Sequence, residues 1–120
     1  MPQNFPGNPA VVSPTPKVPV PATIAASGVY DTGLIPSGQG AVAAACTLDQ
    51  TGTLTIQRYA DVAGLVPVGP LISQALSAST PAWAGAADGL PSRTWRVQIT
   101  NTSGSTGNLS GVAFLTGVNL

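Results

Sequence analysis

Catalysis needs groups that exchange protons or hold metals, and this chain carries very few of them. It has four aspartates (Asp31, Asp49, Asp61 and Asp88) and one cysteine, Cys46, with neither histidine nor glutamate. General acid–base chemistry usually runs through histidine or through carboxylates of tuned pKa. Here Asp49 opens "DQTG", Asp61 follows Tyr59-Ala60, and Asp88 opens "DG". Those are turn contexts, where an aspartate accepts hydrogen bonds from nearby backbone amides. A serine or cysteine nucleophile would need a base beside it, and none is offered. One cysteine without histidine excludes a zinc cluster. Calcium asks for closely spaced carboxylates, and these lie at least 12 residues apart. "GSTGN" has neither the lysine nor the strand-to-helix setting of a phosphate loop. The reading is a protein that is not an enzyme, with no catalytic residues, no cofactor and no metal.

The remaining composition speaks about partners. Only 7% of the residues are charged and the net charge is zero, against about 25% charged in an ordinary soluble domain. A neutral, sparsely charged surface favours self-association, so other copies of the same chain are the first expected partner. Nucleic acid calls for a basic face, which Arg58, Arg93 and Arg96 do not make. No apolar run reaches the roughly 18 residues of a membrane span, and no charged-then-apolar leader opens the chain. Synthesis in a cytosol is expected. Cys46, inside "AVAAACTLD", reads as a small buried hydrophobe.

The elements follow from punctuation and alternation. Seven of the first 21 residues are proline. Proline fixes φ and presses its predecessor towards extended geometry. Residues 1–27 therefore read as an extended Pro-rich arm, able to reach about 60–80 Å at about 3.1 Å per residue. Its apolar residues Phe5, Val11, Val12, Val18 and Val20 are its candidate contacts. Residues 28–120 read as the folded domain. Strands are expected around Val29 to Ile35, over 41–49, and over 52–60 (Leu54 and Ile56 on one face, Thr53, Thr55 and Gln57 on the other); the stretch 61–80 reads either as a short strand from Leu71 to Ser77 or as one helical turn. Two more are expected over 93–102 (Trp95, Val97 and Ile99 inward) and over 109–120 (Val112, Phe114 and Leu115 inward). "DQTG" predicts a hairpin between the second and third. Pro67 and Pro70 bar a central strand, and 81–92 reads as a loop. About six or seven short strands joined by Gly-rich turns predict an all-β fold, a small antiparallel β-sandwich. "NTS" at Asn101 and "NLS" at Asn108 read as turn chemistry. Trp95 is assigned to the core, and Trp83, in the expected loop, to loop packing, a subunit contact or a sugar platform.

"GTLTIQRYADVAG" and "RTWRVQITNTSGSTGNLSGVAFLTGV" together resemble small β-sandwich structural proteins of tailed bacteriophages. There a hairpin of the type "DGTLTIQ(R/Q)S.D" precedes a strand of the type "(Y/F)RV.(Y/V).N" and a last apolar strand. The matching pieces are Gly52 to Asp61 and Trp95 to Asn101; Arg58-Tyr59-Ala60 stands where a serine usually precedes the acidic residue. The resemblance implies a virion component made in the host cytoplasm. It would be a capsid decoration (cement) protein whose arm clamps neighbouring subunits or the major capsid protein. A tail or fibre-base subunit is the alternative within that class, bound to another virion protein. A carbohydrate-binding module, with Trp83, Tyr59 and Tyr30 as platforms, is the alternative outside it.

Overall fold

The structure is a computed structural model and describes residues 10–14, 18–36, 41–88 and 90–119. Among them the chain forms ten strands: β1 (Ala10–Pro14), β2 (Thr23–Ile24), β3 (Val29–Asp31), β4 (Ile35–Pro36), β5 (Ala41–Leu48), β6 (Gly52–Tyr59), β7 (Pro67–Leu76), β8 (Ala82–Ala86), β9 (Thr94–Asn101) and β10 (Gly107–Asn119). They make two antiparallel sheets. The first runs β1-β10-β5-β8, with β2 also on β10; the second runs β3-β9-β6-β7, with β4 also on β9. The expected all-β antiparallel sandwich is the fold observed. The strand count exceeds six or seven because short segments, β2 and β4 among them, pair as well.

Alternation builds the core. On β6, Leu54 and Ile56 are fully buried while Thr53, Thr55 and Gln57 are only partly covered; on β9, Trp95, Val97 and Ile99 are fully buried. Across the gap, β5 contributes Val42, Ala44, Cys46 and Leu48, and β10 contributes Leu109 and Phe114. Trp95 meets Phe114 edge to face, with ring centroids 6.4 Å apart, a geometry aromatic quadrupoles favour. Burial pushes the Cys46 thiol up to about 11, so it stays protonated at neutral pH.

Four expectations are corrected. The "DQTG" turn joins no hairpin: β5 pairs with β10 and β8, whereas β6 pairs with β7 and β9. It is a corner between the sheets, so Leu48 and Leu54 enter the core from opposite sides. Asp49 pins it by accepting from the Asn108 amide and side chain, both at 2.7 Å. The stretch 81–92 contains β8, which places Trp83 on a strand. The first expected strand is split into β3 and β4, with Gly33 between them at φ 72°. Leu115 faces outward, 38% exposed.

The rule about prolines explains β7. It lies at the edge of its sheet, where proline's missing N–H breaks no ladder. Its register slips opposite Gln57, and Gly69 sits in that bulge at φ 73°; a Cβ there would stand 2.8 Å from the Arg58 guanidinium. The β6–β7 turn is held by Asp61, which accepts from the amides of Leu65 and Val66.

Candidate functional site

The outward faces of the two sheets differ in chemistry. An antiparallel sheet with one face in solvent normally alternates apolar-in, polar-out. The second sheet follows this on its two central strands, whose outward positions carry Thr53, Thr55, Gln57 and Tyr59 on β6 and Arg96, Gln98 and Thr100 on β9; at its margins Asp31 on β3 is accompanied by the exposed apolar residues Val29 and Leu71. The first sheet does not. Its outward positions on β5 are Ala41, Ala43, Ala45 and Thr47, because the inward set is Val42, Ala44, Cys46 and Leu48. In register with them stand Gly85 and Trp83 on β8, and Leu115, Ala113 and Ser110 on β10. The face is uncharged and, on β5, built mostly of alanine. Trp83 projects at its margin, 73% exposed.

Beside Trp83 the edge strands β7 and β8 leave an open groove of about 430 Å³, lined by Ile72, Ser73, Gln74, Ala75, Thr80 and Trp83 among others. Among the described residues neither β7 nor β8 has a partner on its outer side within its sheet, and such edges present backbone donors and acceptors to a further strand.

The sequence-predicted contact residues are spread over the fold. Phe5 lies outside the described residues. Val11 and Val12 are in β1, whose Ala10 to Pro14 pair with Asn119 to Leu115 of β10 in the same chain. Val18 is partly buried against the core, and Val20 is 42% exposed. Trp83 is at the opposite edge of that sheet from β1, with β10 and β5 between. The segment after the prolines is strapped down. Tyr30 donates its hydroxyl to the Pro19 carbonyl, the Leu109 amide donates to the Ala22 carbonyl, and the side chain of Asn101 donates to the carbonyls of Ile24 and Ala25. Burial raises the Tyr30 hydroxyl pKa, with Asp31 adding to it. Asn101 is fully buried and Asn108 is tied to Asp49, so both have structural roles in turns.

One buried charge escaped the sequence reading. Arg58 is 1% exposed and makes a two-pronged ion pair with Asp88, at 2.7 and 3.0 Å. Its position was readable from parity, since it follows Leu54 and Ile56 on the inward face of β6. The pairing, aided by the Leu90 amide, holds the Asp88 carboxyl at about 2. No group of three or more potential metal ligands occurs among the described residues, nor does any helix long and apolar enough to cross a membrane.

No protein-family model matches the chain, and no curated protein matches it. Among solved structures, a crystal structure of PirA is similar, with a TM-score of 0.53 and 14% identity over 92% of this chain and 96% of that one. At that identity the likeness concerns the fold, an all-β one spanning nearly the whole of both chains.

Proposed function

We propose that this protein is a non-enzymatic structural subunit that self-associates through the outward face of its first sheet. One observation carries the reading: a sheet face built from Ala41, Ala43, Ala45, Ala113 and Leu115, with Trp83 at its edge, bears no charge where solvent normally imposes one. Contiguous apolar surface of this kind marks a protein contact, and small residues let a second sheet approach to the usual spacing of about 10 Å. A second copy is the occupant the zero net charge favours, because nothing repels it.

The finer reading is a decoration protein of a tailed-phage capsid, made in the host cytoplasm and carried on the virion. Its support is the resemblance of Gly52 to Asp61 and Trp95 to Asn101 to such proteins, the lack of any catalytic set, and the Pro-rich arm. Here β1 completes the edge of its own sheet. The same ladder made on β10 of a neighbour is a strand exchange, a low-cost route to assembly.

The test is sedimentation velocity of the full chain and its Ala45→Asp variant at matched concentrations. The wild type is expected to sediment as an oligomer and the variant as a folded monomer, since the aspartate would be buried without a partner. A wild type that stays monomeric at high concentration, or a variant with unchanged mass, rules this interface out.

A further inference from the structure

The outward face of the second sheet holds a small cleft that self-association through the first sheet leaves uncovered. It measures about 150 Å³ and is lined by Thr55, Gln57, Tyr59, Leu71, Arg96 and Gln98. That is about half the lower end of the ~300–1,000 Å³ typical of pockets for drug-sized ligands, a size for one ring. Its floor is formed by β6 and β9, and β6 is hydrogen-bonded on both sides, so the backbone there offers nothing to a peptide strand. Recognition must come from side chains.

Those side chains form a ready-made set. Gln98 donates to Asp31 at 2.9 Å, and Arg96 Nε lies 3.3 Å from the other Asp31 oxygen. That contact is within ion-pair range but outside hydrogen-bond geometry, which leaves Arg96 Nε a buried donor without a hydrogen-bond partner. Gln57 is fixed from behind by donating to the Arg58 carbonyl at 3.0 Å. Tyr59 brings a ring and a hydroxyl that no described residue engages, and Leu71, 59% exposed, adds an apolar wall. An anion is disfavoured because Asp31 already offsets Arg96. An aromatic hydrocarbon would offer the amides and the guanidinium no hydrogen bonds.

We propose that this cleft binds a single pyranose ring of a neutral glycan. The ring would pack its apolar face against Tyr59 and Leu71, while its hydroxyls bond the Tyr59 hydroxyl, the amides of Gln57 and Gln98 and the guanidinium of Arg96. Such a ligand is amphipathic in the way the lining is: one apolar face and a rim of groups that both donate and accept. The site is distinct from Trp83, which lies on the other sheet, and from Tyr30, whose hydroxyl is spent on Pro19.

The experiment uses the full chain on a glycan array, followed by two-dimensional amide NMR titration with the methyl pyranosides of glucose, galactose, mannose and N-acetylglucosamine. At least one is expected to bind and to shift amides of β6 and β9. Gln98→Ala and Tyr59→Phe are expected to weaken binding about tenfold or more, the usual cost of a lost ligand hydrogen bond to a charged or fixed partner. Trp83→Ala should leave it unchanged. Each variant's fold is checked by its own amide spectrum. A blank array together with an unperturbed titration overturns the proposal. So do shifts confined to β8, or binding that Trp83→Ala removes and Tyr59→Phe spares.

Discussion

Arg58 and Asp88 show how a single residue shapes this fold. Arg58 is the last inward position of β6, and its guanidinium is out of water at the end of the sandwich. A buried charge of this kind is tolerable only when paired, and Asp88, on the loop after β8, supplies the pair from a solvent-exposed position. The requirement propagates: Gly69 must lack a side chain because the guanidinium fills that space. The pair also makes a pH prediction. The Asp88 carboxyl is lowered from 3.8 to about 2 in the folded state. A lowered carboxylate contributes stability that is present above its unfolded pKa and is lost as pH falls through the folded one. Asp49 and Asp61 are lowered as well, by hydrogen bonds from Asn108 and from the amides of Val66 and Leu65 respectively. Thermal unfolding of the wild type should therefore drop in midpoint between about pH 4 and pH 2. Asp88→Asn should unfold at a lower temperature at pH 7 and show a shallower fall over that acid window. An equally steep fall in the variant would mean that Asp88 contributes nothing to the acid limb.

At the scale of elements, what the sequence revealed and what it hid have the same cause. Strands β6 and β9 were legible because each alternates over eight residues with one face fully buried, and period-two patterning is insensitive to context. The "DQTG" corner was not, because four turn-forming residues between two strands serve equally for a hairpin and for a crossing between sheets; only the partners of β5 and β6 decide. Strand β8 hid because four of its five residues are Ala or Gly, types with weak strand preference, and it exists because β5 offers it an edge. The apolar outward face was signalled by "AVAAAC", whose apolar residues occupy both parities, the mark of a strand covered on both sides. The arm boundary was hardest, since residues 18–27 have the composition of the prolines before them but are pinned by Asn101, Tyr30 and Leu109. Ile24 is 4% exposed and belongs to the core. The two possible truncations therefore differ. Removing residues 1–17 should leave a folded sandwich with a free β10 edge. Removing 1–27 should cost at least about 2–4 kcal/mol, the scale of deleting a buried Ile, and should leave the Asn101 side chain without two of its acceptors. Urea denaturation followed by tryptophan fluorescence, with Trp95 as the buried reporter, separates them; equal midpoints would show that the Ile24 segment does not stabilise the sandwich.

The molecule as a whole is two-sided: an uncharged sheet face of small residues on one side, a polar array with a ring-sized cleft on the other, and a core between that both share. The sides are built from different strands, β5, β8 and β10 against β3, β6, β7 and β9, so one can be covered without altering the other. That division sets the salt response expected of the proposed assembly. Salt weakens contacts between exposed charges, with a screening length of about 10 Å at 0.1 M, whereas excluded anions such as sulfate strengthen apolar burial. No charged residue faces outward from β5, β8 or the central part of β10. The dissociation constant measured by sedimentation should therefore change less than about threefold between low and high sodium chloride, and it should tighten in sodium sulfate. Dissociation on adding sodium chloride would instead assign the contact to ionic groups such as Arg93 or Asp61 and remove the first sheet's face from the interface. The Ala45→Asp variant gives the complementary check, since its second sheet is untouched. It should lose the oligomer while its Tyr59, Gln57 and Gln98 amide signals keep their wild-type positions, because the perturbation ends at the shared core.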